Sequence, residues 1–288
     1  MQRPGKCTTH TVEAETIHDQ GTGAMNEDAV RVNGTLFGVF DGATSLNGKT
    51  FDSGATGGYL AATTAGDIFS RNDGPLMDLA HRANAAIRCM MLENGVDVTC
   101  KENLWSTSAA VGRIEGDRFH WVQSGDSPIL AIYEDGSCDL LATGDDHDLE
   151  TLKLWKETAA SRTGSILDEL KDQIRKVRSG MNITYGVMNG EAQAMDFLNH
   201  GSVSLEGIKH ILLFTDGLFI PREDPEAGMD FKTLVSLFLA GGLQAVKHHV
   251  RSVEHTDPGC RRYPRFKTHD DMAAIALSFS STGRRAAA

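Results

Sequence analysis

Again and again along this 288-residue chain, a run of apolar, strand-forming residues starts or stops at an acid. TLFGVF ends at Asp41, HWVQ is followed by Ser124, Gly125 and Asp126, and ILLFT ends at Asp216. Glu27 and Asp28 precede AVRV, and Asp270 and Asp271 precede MAAIALSF. An acid so placed hangs on rigid strand, yet its carboxylate reaches the rim of a sheet. Asp41, Asp126 and Asp216 also adjoin a glycine, which permits a tight turn and lets a backbone carbonyl approach a ligand closely. One Asp-Gly pair after a strand is ordinarily just a turn. Five such places, flanked by runs this apolar, are more than turns require.

Like charges gathered inside a fold are strongly unfavourable unless something compensates them. A divalent cation is the natural compensator. Ligation by carboxylates, carbonyls and water alone selects hard ions, Mg²⁺ or Mn²⁺, over zinc. Two such ions about 3.5–4 Å apart can acidify a shared water and clamp a phosphoryl oxygen.

The segments between the acids indicate the architecture. AVRV and TLFGVF are separated by Asn33-Gly34, a pair that tolerates positive φ and marks a hairpin. Residues 53–71 are rich in Ala and small residues, Asn72-Asp73-Gly74-Pro75 breaks the pattern, and residues 76–92 resume it with helical spacing of Leu76, Leu79, Ala80, Ala83 and Ile87. Four short β-type runs at 106–114, 119–123, 129–133 and 137–142 are joined by turns too short for crossovers, which predicts an antiparallel meander. Residues 149–177 read as a charged helix or helix pair. Residues 208–215 read as a buried strand, 231–253 as a helix weakened at Gly241-Gly242, and 272–279 as the last strand. Strand pairs, helices, a meander, then helix and strand again predict an α+β fold with antiparallel sheets.

Composition narrows the function. The net charge of -11, from 39 acidic and 28 basic side chains, argues against a nucleic-acid partner. Five scattered cysteines in no ligand spacing suit a reduced compartment. The start, MQRPGKCTTH, lacks the apolar stretch of a signal peptide, and no run approaches the ~20 apolar residues that span a bilayer. The expectation is a cytoplasmic protein with no membrane partner.

The motifs NEDAVRV-NG-TLFGVFDG, STSAAVG with WVQSGDSPILAIY, HILLFTDGL and HDDMAAIALSF occur in the order and context of the metal-dependent protein phosphatase family, type 2C, in its bacterial form. The resemblance runs from about residue 17 to 279. It implies one domain over residues 1–280, a four-layer α-β-β-α sandwich of two antiparallel sheets flanked by helices, a flap segment within 146–200, and a loose tail at 281–288. It implies dephosphorylation of serine or threonine in one step, by a water bridging two Mg²⁺ or Mn²⁺ ions. By the same resemblance Asp41 would bridge both metals, joined by the Gly42 carbonyl. Glu27 would bind one metal directly, Asp28 through water, and Asp216 and Asp270 would hold the other. Asp126 matches the acid of a weaker third metal.

The departures are specific. The arginine that the family usually places four residues before the NED glutamate, to grip phosphate, is Gly23 here. The acid often found four residues after Asp216 is Ile220, Asp271 stands where Asn is usual, and Ala43-Thr44-Ser45 carries no histidine after the bridging Asp-Gly. Arg265, within the cluster Arg261, Arg262, Arg265 and Lys267, is the candidate replacement grip, set against the plainer reading of solvated loop charges. His269 is the candidate proton donor, set against a bystander. The substrate implied is a phosphorylated protein. A small phosphorylated metabolite is the alternative within the same chemistry, and a non-catalytic or weakly active phosphatase-like binding or regulatory protein is the alternative outside it. Oligomeric state is not legible.

Overall fold

The computed structural model describes residues 10–46, 48–51, 54–161 and 163–281. Among the described residues, ten strands form two five-stranded antiparallel sheets. One has the order β1 (His10–Asp19), β10 (Met272–Ser281), β9 (Ile208–Phe214), β6 (Ile129–Tyr133), β7 (Cys138–Ala142). The other has the order β2 (Ala29–Asn33), β3 (Leu36–Gly42), β4 (Thr107–Glu115), β5 (Arg118–Ser124), β8 (Asn199–Ser204). Of the tail expected at 281–288, Ser281 ends β10 and the remainder lies outside the described residues.

Alternation along the strands sorts side chains between layers. Phe37 and Val39 of β3 meet Ile211 and Leu213 of β9 and Ala273 and Ile275 of β10 in the core between the sheets. Leu36 and Phe40, on the opposite face of β3, pack under α1 (Gly57–Ser70) and α2 (Leu76–Glu93). Leu212, Phe214, Ala274 and Ala276 pack under α6 (Phe231–His255). The result is the α-β-β-α sandwich expected. The Ala-rich face of α1, with Ala61, Ala62 and Ala65 buried, lets that helix lie close on its sheet.

Local signals act where they were read. Gly34 turns β2 into β3 with φ 60. Gly241 and Gly242 leave helical geometry inside α6, Gly242 with φ 70. The segment at 149–177 is three short helices rather than one or two: α3 (Leu149–Thr158), α4 (Ile166–Glu169) and α5 (Lys171–Ser179). Trp155, Ala159, Ile166 and Leu170 give the first two of these helices a small core of their own, against which Phe266 packs.

The expected meander is not one sheet. β4 pairs β5 and β6 pairs β7, but β5 and β6 belong to different sheets. The chain changes sheets at Gly125 (φ 74) and Asp126, so this acid sits where the two halves of the sandwich exchange strands. Among the described residues Cys89, Cys100, Cys138 and Cys260 are free thiols. No helix among them is long and apolar enough to cross a membrane.

Candidate functional site

Strand register gathers the acids. On one sheet Ala29 pairs Phe40, which sets Asp28, just before β2, beside Asp41 near the end of β3. Asp41 pairs Ser108 of β4, and the Ser108 hydroxyl donates to Asp126 Oδ1 at 2.6 Å. On the other sheet Phe214 pairs Ala274, so Asp216, just past β9, lies beside Asp270 and Asp271, just before β10. The sheets are tied together here, because Thr215 Oγ1 donates to Asp28 Oδ2 at 2.7 Å. Asp41, Asp126, Asp216 and Asp270 line one cavity of about 130 Å³ at this end of the sandwich.

Backbone packing at these turns leaves no space for side chains. A Cβ on Gly42 would come within 2.3 Å of the Gly58 carbonyl oxygen and 2.6 Å of that of Glu27. A Cβ on Gly217 would come within 1.8 Å of the Asp271 carbonyl oxygen. The glycine after each of these acids therefore allows two segments to touch.

The charges feel one another strongly. Burial, then Asp270, Asp216 and Asp271 nearby, pushes the Asp28 carboxyl well above its ordinary range. Burial and the acids Asp28, Asp126 and Asp270 do the same to Asp41. Burial, Asp41 and Asp270 do so to Asp216, which is hydrogen-bonded to Asp41. Carboxyls that resist ionisation to this degree are short of positive charge, and their all-oxygen donor set suits a hard divalent ion. As the side chains stand, no three His, Cys, Asp or Glu among the described residues form a closed metal-holding group. Several are held by the protein instead. Asp270 Oδ1 accepts from Lys267 Nζ at 2.7 Å, and the Glu27 carboxylate accepts from Thr56 Oγ1 at 2.6 Å and from the Thr44 hydroxyl. These are rotatable partners, and their exchange for a cation needs no change of backbone.

Arg265 and His269 are engaged by other partners. Arg265 directs its guanidinium into its own loop, donating to the carbonyls of Thr268 (3.1 Å), Tyr263 (2.8 Å), Glu254 (3.1 Å) and Asp257 (2.5 Å), and to the Asp257 carboxylate (3.2 Å). Every nitrogen is engaged, so nothing is left for a phosphate. His269 Nδ1 lies 2.7 Å from Glu254 Oε2 and its ring packs on His255 at 4.6 Å, Glu254 and His255 both being residues of α6.

Residues given no role from the sequence stand at the cavity, beside Lys267 of the basic cluster. His147 lines the cavity, stacked on Tyr185 at 4.1 Å, with Asp148 at 3.7 Å and Asp126 at 4.0 Å. Burial opposes its charge, but Asp148 and Asp126 outweigh burial and raise its pKa. Lys267 lines it too; burial disfavours its charge, and Asp270 and Asp271 more than offset that, holding the ammonium charged. Arg178 of α5 forms part of the wall opposite. A second cavity of about 370 Å³ opens beside the first and shares Asp126, Asp216, Lys267 and Asp270 with it. Its walls are apolar, from Leu140, Phe219, Ile220, Met229, Phe231 and Phe266, so Ile220 contributes hydrocarbon where a third-metal acid would contribute oxygen.

Comparison with known proteins agrees with this layout. Residues 18–249 match the family model described as "Protein phosphatase 2C". No curated protein matches the sequence. Among solved structures the chain is similar to serine/threonine phosphatase Stp1 from Staphylococcus aureus, at 15% identity over 98% of this chain and 99% of that one, with a TM-score of 0.59. It is similar to the catalytic domain of the serine/threonine protein phosphatase PstP in complex with two manganese ions, at 15% identity over 95% and 100%, TM-score 0.56. It is also similar to PppA of Pseudomonas aeruginosa, at 17% identity over 95% and 99%, TM-score 0.55. With four-fifths of its length matched by one family model, and with two antiparallel sheets between helical layers, this chain belongs to the protein phosphatase 2C family of serine/threonine phosphatases.

Proposed function

We propose that the chain hydrolyses phosphoserine or phosphothreonine in a protein, using two Mg²⁺ or Mn²⁺ ions held in the acid-lined cavity. The observation that carries this reading is the convergence of Asp41, Asp126, Asp216 and Asp270 on one cavity with Asp28 buried close behind them, and Asp28, Asp41 and Asp216 pushed strongly toward the neutral form. Asp41 would be the shared ligand, since its strand end lies between the two groups of acids. Asp216 and Asp270 would serve one ion, and Glu27, the Gly42 carbonyl and Asp28 through water would serve the other. Ile220 offers no oxygen, so the set fits two ions better than three.

When bound, the pair would supply positive charge at the phosphoryl oxygens and an acidified water as nucleophile. The chain's own residues do the rest. Ser108 and Thr215 hold Asp126 and Asp28 by hydrogen bonds and so fix their direction. Thr44 and Thr56 do the same for Glu27. His147, held protonated to higher pH than usual, is the imidazole placed to give a proton to a leaving oxygen at the cavity.

A second reading has its own support. Gly23 removes the usual phosphate grip, and Lys267 already pairs with Asp270. A phosphatase-like protein that binds a partner without turnover would tolerate both. The deciding experiment is hydrolysis of para-nitrophenyl phosphate, a panel of phosphopeptides and a panel of small phosphorylated metabolites with Mn²⁺, each repeated with EDTA. Hydrolysis that EDTA abolishes supports the enzyme, and the preferred panel names the substrate class. No hydrolysis of any substrate with Mn²⁺ supports the second reading.

A further inference from the structure

We propose that Arg178, set against the acid cavity by α5, is the residue that grips the substrate's phosphoryl group. This inference rests on the phosphatase reading above and deepens it. The acids that would hold the metals also repel a phosphate dianion, so a productive site needs a cation of the chain's own facing the substrate. Gly23 supplies none.

Among the described residues, the lysines and arginines lining the two adjoining cavities are Lys267, Arg222, Arg265 and Arg178, beside His147, which lies near Asp148 and Asp126. Three are occupied. Lys267 is paired with Asp270 at 2.7 Å, Arg222 with Asp146 at 2.5 Å, and Arg265 with Asp257 and four carbonyls. Arg178 makes a single hydrogen bond, from Nη2 to the Thr44 carbonyl, and among the described residues no carboxylate lies in ion-pair contact with it. A guanidinium has five N–H donors in a rigid fork that matches two phosphate oxygens. Four of these donors stay uncommitted, in a half-buried position where burial already disfavours the charge.

Its placement is built in. Ile174, Val177 and Arg178 line the acid cavity from one face of α5, at i, i+3, i+4 spacing, and Met181 lines it from just beyond the helix end. Ile174 and Met181 are buried, and Val177 packs on the core beneath α1 and α2, so the face cannot turn away. The one bond that Arg178 does make docks it on Thr44, whose hydroxyl donates to Glu27 and which follows Asp41 by three residues. Guanidinium and acids are thereby fixed to the same loop.

The test uses the Mn²⁺-loaded full chain with Arg178→Ala, Arg178→Lys and, as a control on the same helix, the exposed Arg175→Ala. Inorganic phosphate is the probe, followed as inhibition of phosphopeptide hydrolysis and, independently of turnover, by calorimetric binding. Arg178→Ala is expected to weaken phosphate binding about 10- to 100-fold, the equivalent of one lost charge-assisted pair. KM should rise in step, with kcat and Mn²⁺ affinity changed much less. Arg178→Lys should fall between, since it keeps the charge and loses the fork, and Arg175→Ala should match the wild type. Phosphate binding within about twofold of wild type in both Arg178 variants overturns the proposal. Absence of hydrolysis in the wild type overturns the phosphatase reading instead, while calorimetry with phosphate still decides the role of Arg178.

Discussion

Asp271 Oδ2 accepts the backbone N–H of Glu27 at 2.9 Å, and its other carboxylate oxygen accepts that of Gly21 at 2.8 Å. One side chain at the start of β10 thus fixes the segment that delivers Glu27 and Asp28, some 244 residues earlier in the chain. Where the family usually has an amide, a carboxylate can accept both N–H groups. Asp271→Ala should destabilise the fold by about 1–3 kcal/mol or somewhat more, because the buried Glu27 N–H loses its acceptor and the part-buried Gly21 N–H loses its own. Urea unfolding would measure it, and a loss below about 0.5 kcal/mol, the range of an ordinary surface change, would contradict the clamp.

Asp41→Asn separates chemistry from stability. It removes the charge shared between the two groups of acids, so Mn²⁺-dependent hydrolysis should fall by about 10² or more. The same change relieves repulsion with Asp28, Asp126 and Asp270, so the melting temperature in EDTA should rise. Steady-state kinetics and thermal melts check the two halves. Retained activity would mean that another residue bridges.

The raised carboxyls also predict a pH dependence. Asp28, Asp41 and Asp216 bind their protons more tightly in the fold than in the unfolded chain, where they titrate near 3.8. Their contribution to stability is therefore fully present below 3.8 and is lost as pH rises through the folded values. His147, also raised, acts in the same direction. Asp19 and Asp257 are lowered by their partners and oppose this trend only below 3.8. In EDTA the melting temperature should fall between pH 5 and 8, and saturating Mn²⁺ should remove the slope. A melting temperature that rises with pH in EDTA would contradict the account.

Arg265→Ala tests whether that residue holds its loop or grips phosphate. Its partners, Asp257 and four loop carbonyls, hold the approach to Asp270 in shape. Stability should drop by about 1–3 kcal/mol, the range for a lost charge-assisted bond, while inhibition by inorganic phosphate stays unchanged in the folded fraction. A selective loss of phosphate affinity would restore Arg265 as the grip.

The acids were legible because strands carry them. Asp41 and Asp216 end apolar runs whose period and length are written in the sequence, so their place at a sheet rim follows from local pattern. What pattern lacks is any account of which donors are already engaged. Arg265 and Lys267 look alike in sequence, yet one is bound into its loop and the other faces the acids. Arg178 and His147 reach the cavity from segments between β7 and β8, whose course depends on the small core around Trp155 and on Tyr185 stacking, contacts between residues far from the acids in sequence. The meander divides between two sheets for a related reason. The turn at Gly125-Asp126 is as short as its neighbours, and only packing between the sheets shows that the chain changes sheets there.

Anomalous diffraction from a crystal soaked in Mn²⁺ tests the central claim most directly. Two peaks are predicted in the cavity, with Asp41 contacting both, Asp216 and Asp270 on one and the Gly42 carbonyl on the other. No peak at saturating Mn²⁺, with Lys267 still paired to Asp270, would contradict it.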